Sequence, residues 1–410
     1  MLTVIFICFK RFGVSKRVLI FANIYVCNDQ YPFEMRKVLF VGEFIPQYRK
    51  DFFYLSKKML LEQDVNLEVI YGNTDKTTAL KNEEVEIEWA KQIPNKTFKI
   101  YNTNLVWQPC VKELRDKDLV IVENANRMLI NYYLMAAHPF SRFKFAFWGH
   151  GRNLQVDLHS WRNRFKNLFI TKCDWWFAYT NLSKRLLESR NYPARRITVM
   201  QNAIDTHTIR EHYSRVTEHE ISQLKTKLGI QGDMTALYCG ALYPEKNLDF
   251  ILETCYRVKR EIPDFHMIFI GSGIESDKVL KASQSNDWIH YVGSRFGKER
   301  VKYFRISKVQ LMPYALGLGL VDSFALETPI ITTSSPYHGP EIDYLENGIN
   351  GIMTEDNQDD YSTKVIETLK NKSYVELRKG CRVSADKITL ESMVTNFKEG
   401  ILSCLNTEKN

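Results

Sequence analysis

From Met35 onward the chain alternates short runs of β-branched and aromatic residues with segments of helical period, in two successive series. Runs of that kind are buried on both faces only as parallel strands with helices packed above and below, so the alternation restricts the fold to α/β. In the first series strands are expected at 37–41, 65–71, 119–123, 144–148, 175–179 and 197–200. Helices fall between them at 48–62, 127–137 and 182–189; the first carries Phe52, Phe53, Leu55, Met59 and Leu60 at helical spacing. The second series predicts strands at 236–239, 266–270, 289–292, 309–313, 329–333 and 351–353, and helices at 247–260, 275–283, 299–306, 320–327 and 360–370. A polar, charged connection at 205–231 separates the two series, and a helix over 390–405 closes the chain.

The expected architecture is thus two doubly wound parallel-sheet domains, 35–203 and 204–389, with a terminal helical segment, 390–410, placed to pack back on the first. Two such domains leave a cleft at the carboxyl ends of their sheets, where α/β ligands bind. A length of 410 residues agrees with two cores rather than one. The net charge of +8 suits anionic substrates or membrane surfaces and falls short of a dedicated nucleic-acid binder. Eight cysteines without a Cys-x-x-Cys, several inside apolar runs, predict buried free thiols in a reducing, cytoplasmic setting. Residues 1–34 hold two apolar runs, MLTVIFICF and VLIFANIYV, broken by KRFGVSKR. Neither run approaches the ~20 residues that span a bilayer. An extension, a membrane-touching piece and a mis-chosen start are the readings open to it.

Five segments of the second series, in order, carry the functional signal: Gly240-Ala-Leu-Tyr-Pro-Glu245-Lys246-Asn247, Ile270-Gly271-Ser-Gly273, Tyr291-Val-Gly293, the stretch PYALGLGLVDSFALETP at 313–329, and His338-Gly339-Pro340-Glu341 with Glu346-Asn-Gly348-Ile-Asn350-Gly351. Upstream, Asn202-Ala-Ile-Asp205 marks a crossover between domains. The ordered set resembles the motifs of GT-B glycosyltransferases of retaining family 4, the group 1 glycosyl transferases of bacterial surface-polysaccharide assembly, over roughly residues 36 to 400.

The resemblance implies a nucleotide-diphosphate sugar donor bound by the second domain, near Gly240, Glu245, Gly271, Gly273, Gly317, Leu318 and Gly319. The diphosphate gains charge as the glycosidic bond breaks, so it needs a fixed cation, and Lys246 is the candidate. Gly317 and Gly319 would let backbone approach the donor, with Asp322 in the following helix accepting the ribose hydroxyls. Two positions depart from the family pattern. Its paired acidic signature has Asp322 at one end but Tyr314 at the other, and its usual phosphate-binding Arg is Ala241, leaving Arg152 and Arg295 as substitutes.

The first domain is expected to supply the acceptor side. His150, between two glycines after a strand, is the candidate contact to the donor sugar; Glu43, Gln47 and Arg49 after the first strand, with Glu123 and Asn124 after a later one, form the remaining rim. The stretch 159–176, HSWRNRFKNLFITKCDWW, interleaves basic and aromatic residues as membrane-surface helices do, and as core helices with solvated basic faces also do. No cofactor and no metal are expected, since there is no convincing Asp-x-Asp of the metal-dependent transferases and no Walker loop. The expected acceptor is a glycan or polyprenyl-linked glycan, met at the inner membrane face. A GT-B nucleotide-sugar 2-epimerase and a binder without turnover are the alternatives.

Overall fold

Val38, Leu39, Phe40 and Val41 are all buried, although neighbours along a strand point to opposite faces. β1 (Arg36–Gly42) is therefore an interior strand, flanked in parallel by β2 (Val65–Gly72) and β6 (Leu119–Glu123). The computed structural model describes residues 35–73, 86–100, 103–151 and 169–409. Within them the first sheet runs β3-β2-β1-β6-β7-β8-β9, adding β3 (Lys91–Ile93), β7 (Lys144–Gly149), β8 (Trp175–Ala178) and β9 (Ile197–Val199), every pairing parallel. β4 (Lys96–Ile100) and β5 (Thr103–Trp107) form a separate antiparallel hairpin.

The second sheet is parallel throughout and runs β12-β11-β10-β13-β14-β15. Its strands are β10 (Thr235–Cys239), β11 (His266–Ile270), β12 (Ile289–Tyr291), β13 (Val309–Leu311), β14 (Ile330–Thr333) and β15 (Gly351–Thr354). In each sheet the chain builds outward on one side and then returns to the other. The reversal lies between β1 and β6 in the first sheet and between β10 and β13 in the second. At such a point adjacent loops diverge and leave a crevice.

The expected doubly wound pair is thus present, with three differences. The connection at 205–231 contains two helices, His207–Arg215 and Glu218–Leu228. The second buries none of its residues fully, though Ile221, Leu224 and Leu228 pack half-buried against the core of the second domain; the reciprocal cap between Thr217 and Glu220 starts it. The helix Tyr374–Lys387 and the short β3, β4 and β5 also lie outside the expected elements.

The final helix, Leu390–Asn406, packs on the first domain. Phe397 meets the rings of Phe52, Trp148 and Phe177 at centroid distances of 5.2, 5.2 and 5.1 Å. A Cβ on Gly400 would lie 2.5 Å from Thr198 Oγ1, so the helix can approach this closely only because position 400 has no side chain. The six described cysteines are free thiols, five of them buried.

The two domains touch through polar contacts. Asn202 Nδ2 donates to Glu341 Oε1 at 2.5 Å, Tyr344 Oη donates to the Asn202 carbonyl at 3.2 Å, and Arg185 pairs with Asp343 at 2.5 Å.

Candidate functional site

The crevice between β10 and β13 is bounded by the loop Gly240–Asn247 and the loop Pro313–Gly319. Lys246 joins them: its Nζ donates to the Ala315 carbonyl at 2.5 Å. Burial pushes its ammonium down to about 8, with Glu245 pulling the other way. Glu245 itself is exposed. A desolvated cation at a strand-order reversal, held by one carbonyl, is well placed for an anion.

The glycines of these loops divide into two kinds. A Cβ on Gly271, which sits at φ +141°, would lie 1.9 Å from the Gly240 carbonyl oxygen, and one on Gly273 would lie 2.2 Å from that of Leu242. Both positions are needed for one loop to cross the other, so the close approach there is to the protein's own backbone. Gly240 is part of the same crossing and donates its N–H to the Ile270 carbonyl. Around Gly317 the nearest atom to a Cβ would be Glu341 Oε2 at 3.6 Å, and around Gly319 it would be Met312 Sδ at 4.0 Å. Nothing in the protein requires these two to be glycine, and neither has positive φ. Leu318 between them is half-buried and caps the helix Gly319–Ala325.

Asp322 lies in that helix, and both its carboxylate oxygens accept from Arg300, at 2.8 and 3.1 Å. The ribose reading must accommodate this fork: a carboxylate has about four lone-pair sites, so two remain for hydroxyls. Arg300 had no signal in the sequence, because it lies on the helix Gly297–Ile306 outside every motif. Tyr314 donates to Asp356 at 2.6 Å and packs edge-on to Phe250. Of the expected arginine substitutes, Arg295 is exposed and bonds its neighbour's carbonyl on Ser294, and Arg152 lies outside the described residues.

Across the cleft, the reversal between β1 and β6 brings Glu43 and Glu123 together. The Glu43 N–H donates to Glu123 Oε2 at 3.3 Å, and the Glu43 carboxylate accepts from Arg127 at 2.6 Å. Burial raises Glu123 to about 7; the Glu43 charge adds to the rise, while the Glu43 N–H, Arg127 and Arg49 oppose it. Asn124 bonds the Trp148 carbonyl through its N–H. His150 is exposed beyond β7, its ring edge-on to Tyr179 at 4.6 Å, between Gly149 at φ +138° and Gly151 at φ +77°.

Arg49 corrects the expectation of an open rim. It is 5% exposed, bonded to the Asn202 side chain and, at 3.1 Å, to the Ala203 carbonyl, and enclosed by the rings of Tyr48, Phe52, Trp148 and Tyr179. A guanidinium so surrounded ties the domains together through Asn202 and Glu341. Gln47 beside it is exposed. The aromatic–basic stretch 159–176 lies largely outside the described residues; at its described end Ile170, Trp175 and Trp176 are buried in the sheet core.

The family model for group 1 glycosyl transferases matches residues 233–371, which hold every loop of the second-domain crevice. An uncharacterized glycosyltransferase of Haemophilus influenzae is 22% identical over 301 residues, covering 71% of this chain and 78% of the relative. Among solved structures, HepE of Anabaena in complex with UDP superposes with a TM-score of 0.65 at 14% identity, covering 90% of this chain and 100% of that one. The lipopolysaccharide outer core galactosyltransferase WaaB gives 0.62 at 16% identity, covering 90% and 99%. Structural likeness over nearly the whole chain establishes the fold as GT-B.

Proposed function

We propose that this enzyme is a glycosyltransferase that moves a sugar from a nucleotide-diphosphate donor, held by the second domain, to an acceptor held by the first. The observation that carries the reading is the half-buried Lys246 ammonium at the β10–β13 reversal, bonded to the Ala315 carbonyl of the loop that also carries two glycines no protein contact explains. A diphosphate leaving group fits both: the amine meets its charge and the glycines leave room for it. The UDP in the HepE complex supports this donor class and makes UDP-sugars the first to test.

The finer reading is a retaining transfer without metal, in which Lys246 supplies the positive charge. Its acceptor is a glycan or a lipid-linked glycan of surface-polysaccharide assembly, met at the inner face of the membrane; WaaB, named for lipopolysaccharide, supports that class. No helix among the described residues is long and apolar enough to cross a membrane. Asp322, oriented by Arg300, takes the ribose, and His150 borders the sugar.

A panel of UDP-, GDP-, ADP- and CMP-sugars scored by released nucleotide tests the proposal. Turnover of one donor, lowered about 100-fold in Lys246→Ala and unaffected by EDTA, is expected. Equal turnover in Lys246→Ala contradicts the clamp.

A further inference from the structure

The first sheet's reversal point holds a carboxyl group that donor binding leaves unused. β6 ends at Glu123, with β1 on one side carrying Glu43 and β7 on the other leading, two residues past the partner Trp148, to His150. Glu43 is committed to Arg127 at 2.6 Å. The Glu123 carboxyl accepts the Glu43 N–H at 3.3 Å, and it remains partly exposed at the carboxyl edge of the sheet. Two carboxyl groups side by side, one ion-paired and one not, are held in different environments and so suit different tasks.

We propose that Glu123 is the base that takes the proton from the acceptor hydroxyl during transfer. This rests on the glycosyltransferase reading above. In the step the acceptor O–H bond breaks and its proton passes to the Glu123 carboxylate. The oxygen's electron pair forms the bond to the anomeric carbon on the face from which the phosphate departs, so the configuration is kept. The bond from that carbon to the phosphate oxygen breaks, and its pair leaves with the nucleoside diphosphate, where Lys246 meets the charge. Glu123 then returns its proton to solvent. The groups that face it are Glu43 from the β1 loop, Arg127 from the β6 loop, Arg49 from the turn before the helix Lys50–Leu61, and Tyr179 from the end of β8. Their balance, dominated by burial, places its titration at about 7, where a base is most effective at neutral pH.

The test uses the full chain, UDP-glucose, UDP-galactose and UDP-N-acetylglucosamine, and water as acceptor. Released UDP is measured from pH 5.5 to 8.5 for wild type, Glu123→Gln and Glu123→Ala, with UDP affinity measured by calorimetry. Wild-type kcat should rise with pH through a midpoint near 7. Both variants should lose about 100-fold in kcat and that rise, while binding UDP within about threefold of wild type. Glu123→Gln with wild-type kcat and an unchanged profile overturns the assignment and leaves the donor reading intact. Solvent deuterium at C2 of the recovered sugar also overturns it, since the carboxyl would then be abstracting a carbon-bound proton. Wild type that neither binds UDP nor releases it overturns the donor reading and this role with it.

Discussion

At the scale of single residues, Lys246 and Asp322 carry the account, and each makes a distinct prediction. Because burial lowers Lys246 to about 8, the unfolded chain binds more protons than the folded one between about pH 8 and the ordinary lysine value. Stability of the unliganded protein should therefore gain from this residue as pH rises through that window, a gain absent in Lys246→Met on thermal melts. UDP, which favours the ammonium, should protect wild type most below pH 8. Asp322→Asn should raise donor KM and also lower stability, because it leaves Arg300 without its anion while Arg300 Nε is already unpartnered. The loss should stay below the roughly 3–5 kcal/mol of a fully buried pair, since both side chains keep some exposure. Sequence motifs made Lys246 and Asp322 legible. Arg300 and Arg127 were not, because a partner on another element leaves no local pattern.

At the scale of elements, the glycine loops separate packing from binding. Gly271→Ala should cost several kcal/mol in chemical denaturation, because a methyl 1.9 Å from a backbone carbonyl, at φ +141°, forces two strand ends apart. Gly319→Ala meets nothing closer than 4.0 Å and should change stability by less than about 1 kcal/mol while weakening UDP binding at least tenfold. If Gly319→Ala binds UDP as wild type does, the donor does not approach that turn. The strands were readable because parallel strands buried on both faces are continuous apolar runs, as in β6 and β11. The helix Glu218–Leu228 was not, because its apolar stripe of Ile221, Leu224 and Leu228 is narrow and set in a charged stretch, and β3 is too short to show a period.

At the scale of the whole molecule, the last helix and the Arg49–Asn202–Glu341 chain decide how the domains are held. Phe397→Ala should cost about 3–5 kcal/mol, for it removes a ring shared among three others beneath the first domain. The two-domain architecture followed from the double series of strands, whereas this polar tie could not be read because its members lie far apart in sequence. Glu341 was visible only as part of a motif, and its bond to the crossover residue Asn202 required the fold. The central claim is that the crevice between β10 and β13 holds a nucleoside diphosphate against Lys246. Calorimetric titration of UDP into wild type and Lys246→Ala tests it most directly: the account predicts saturable binding to wild type, weakened tenfold or more in the variant. No binding to wild type, or equal binding to both, would contradict it.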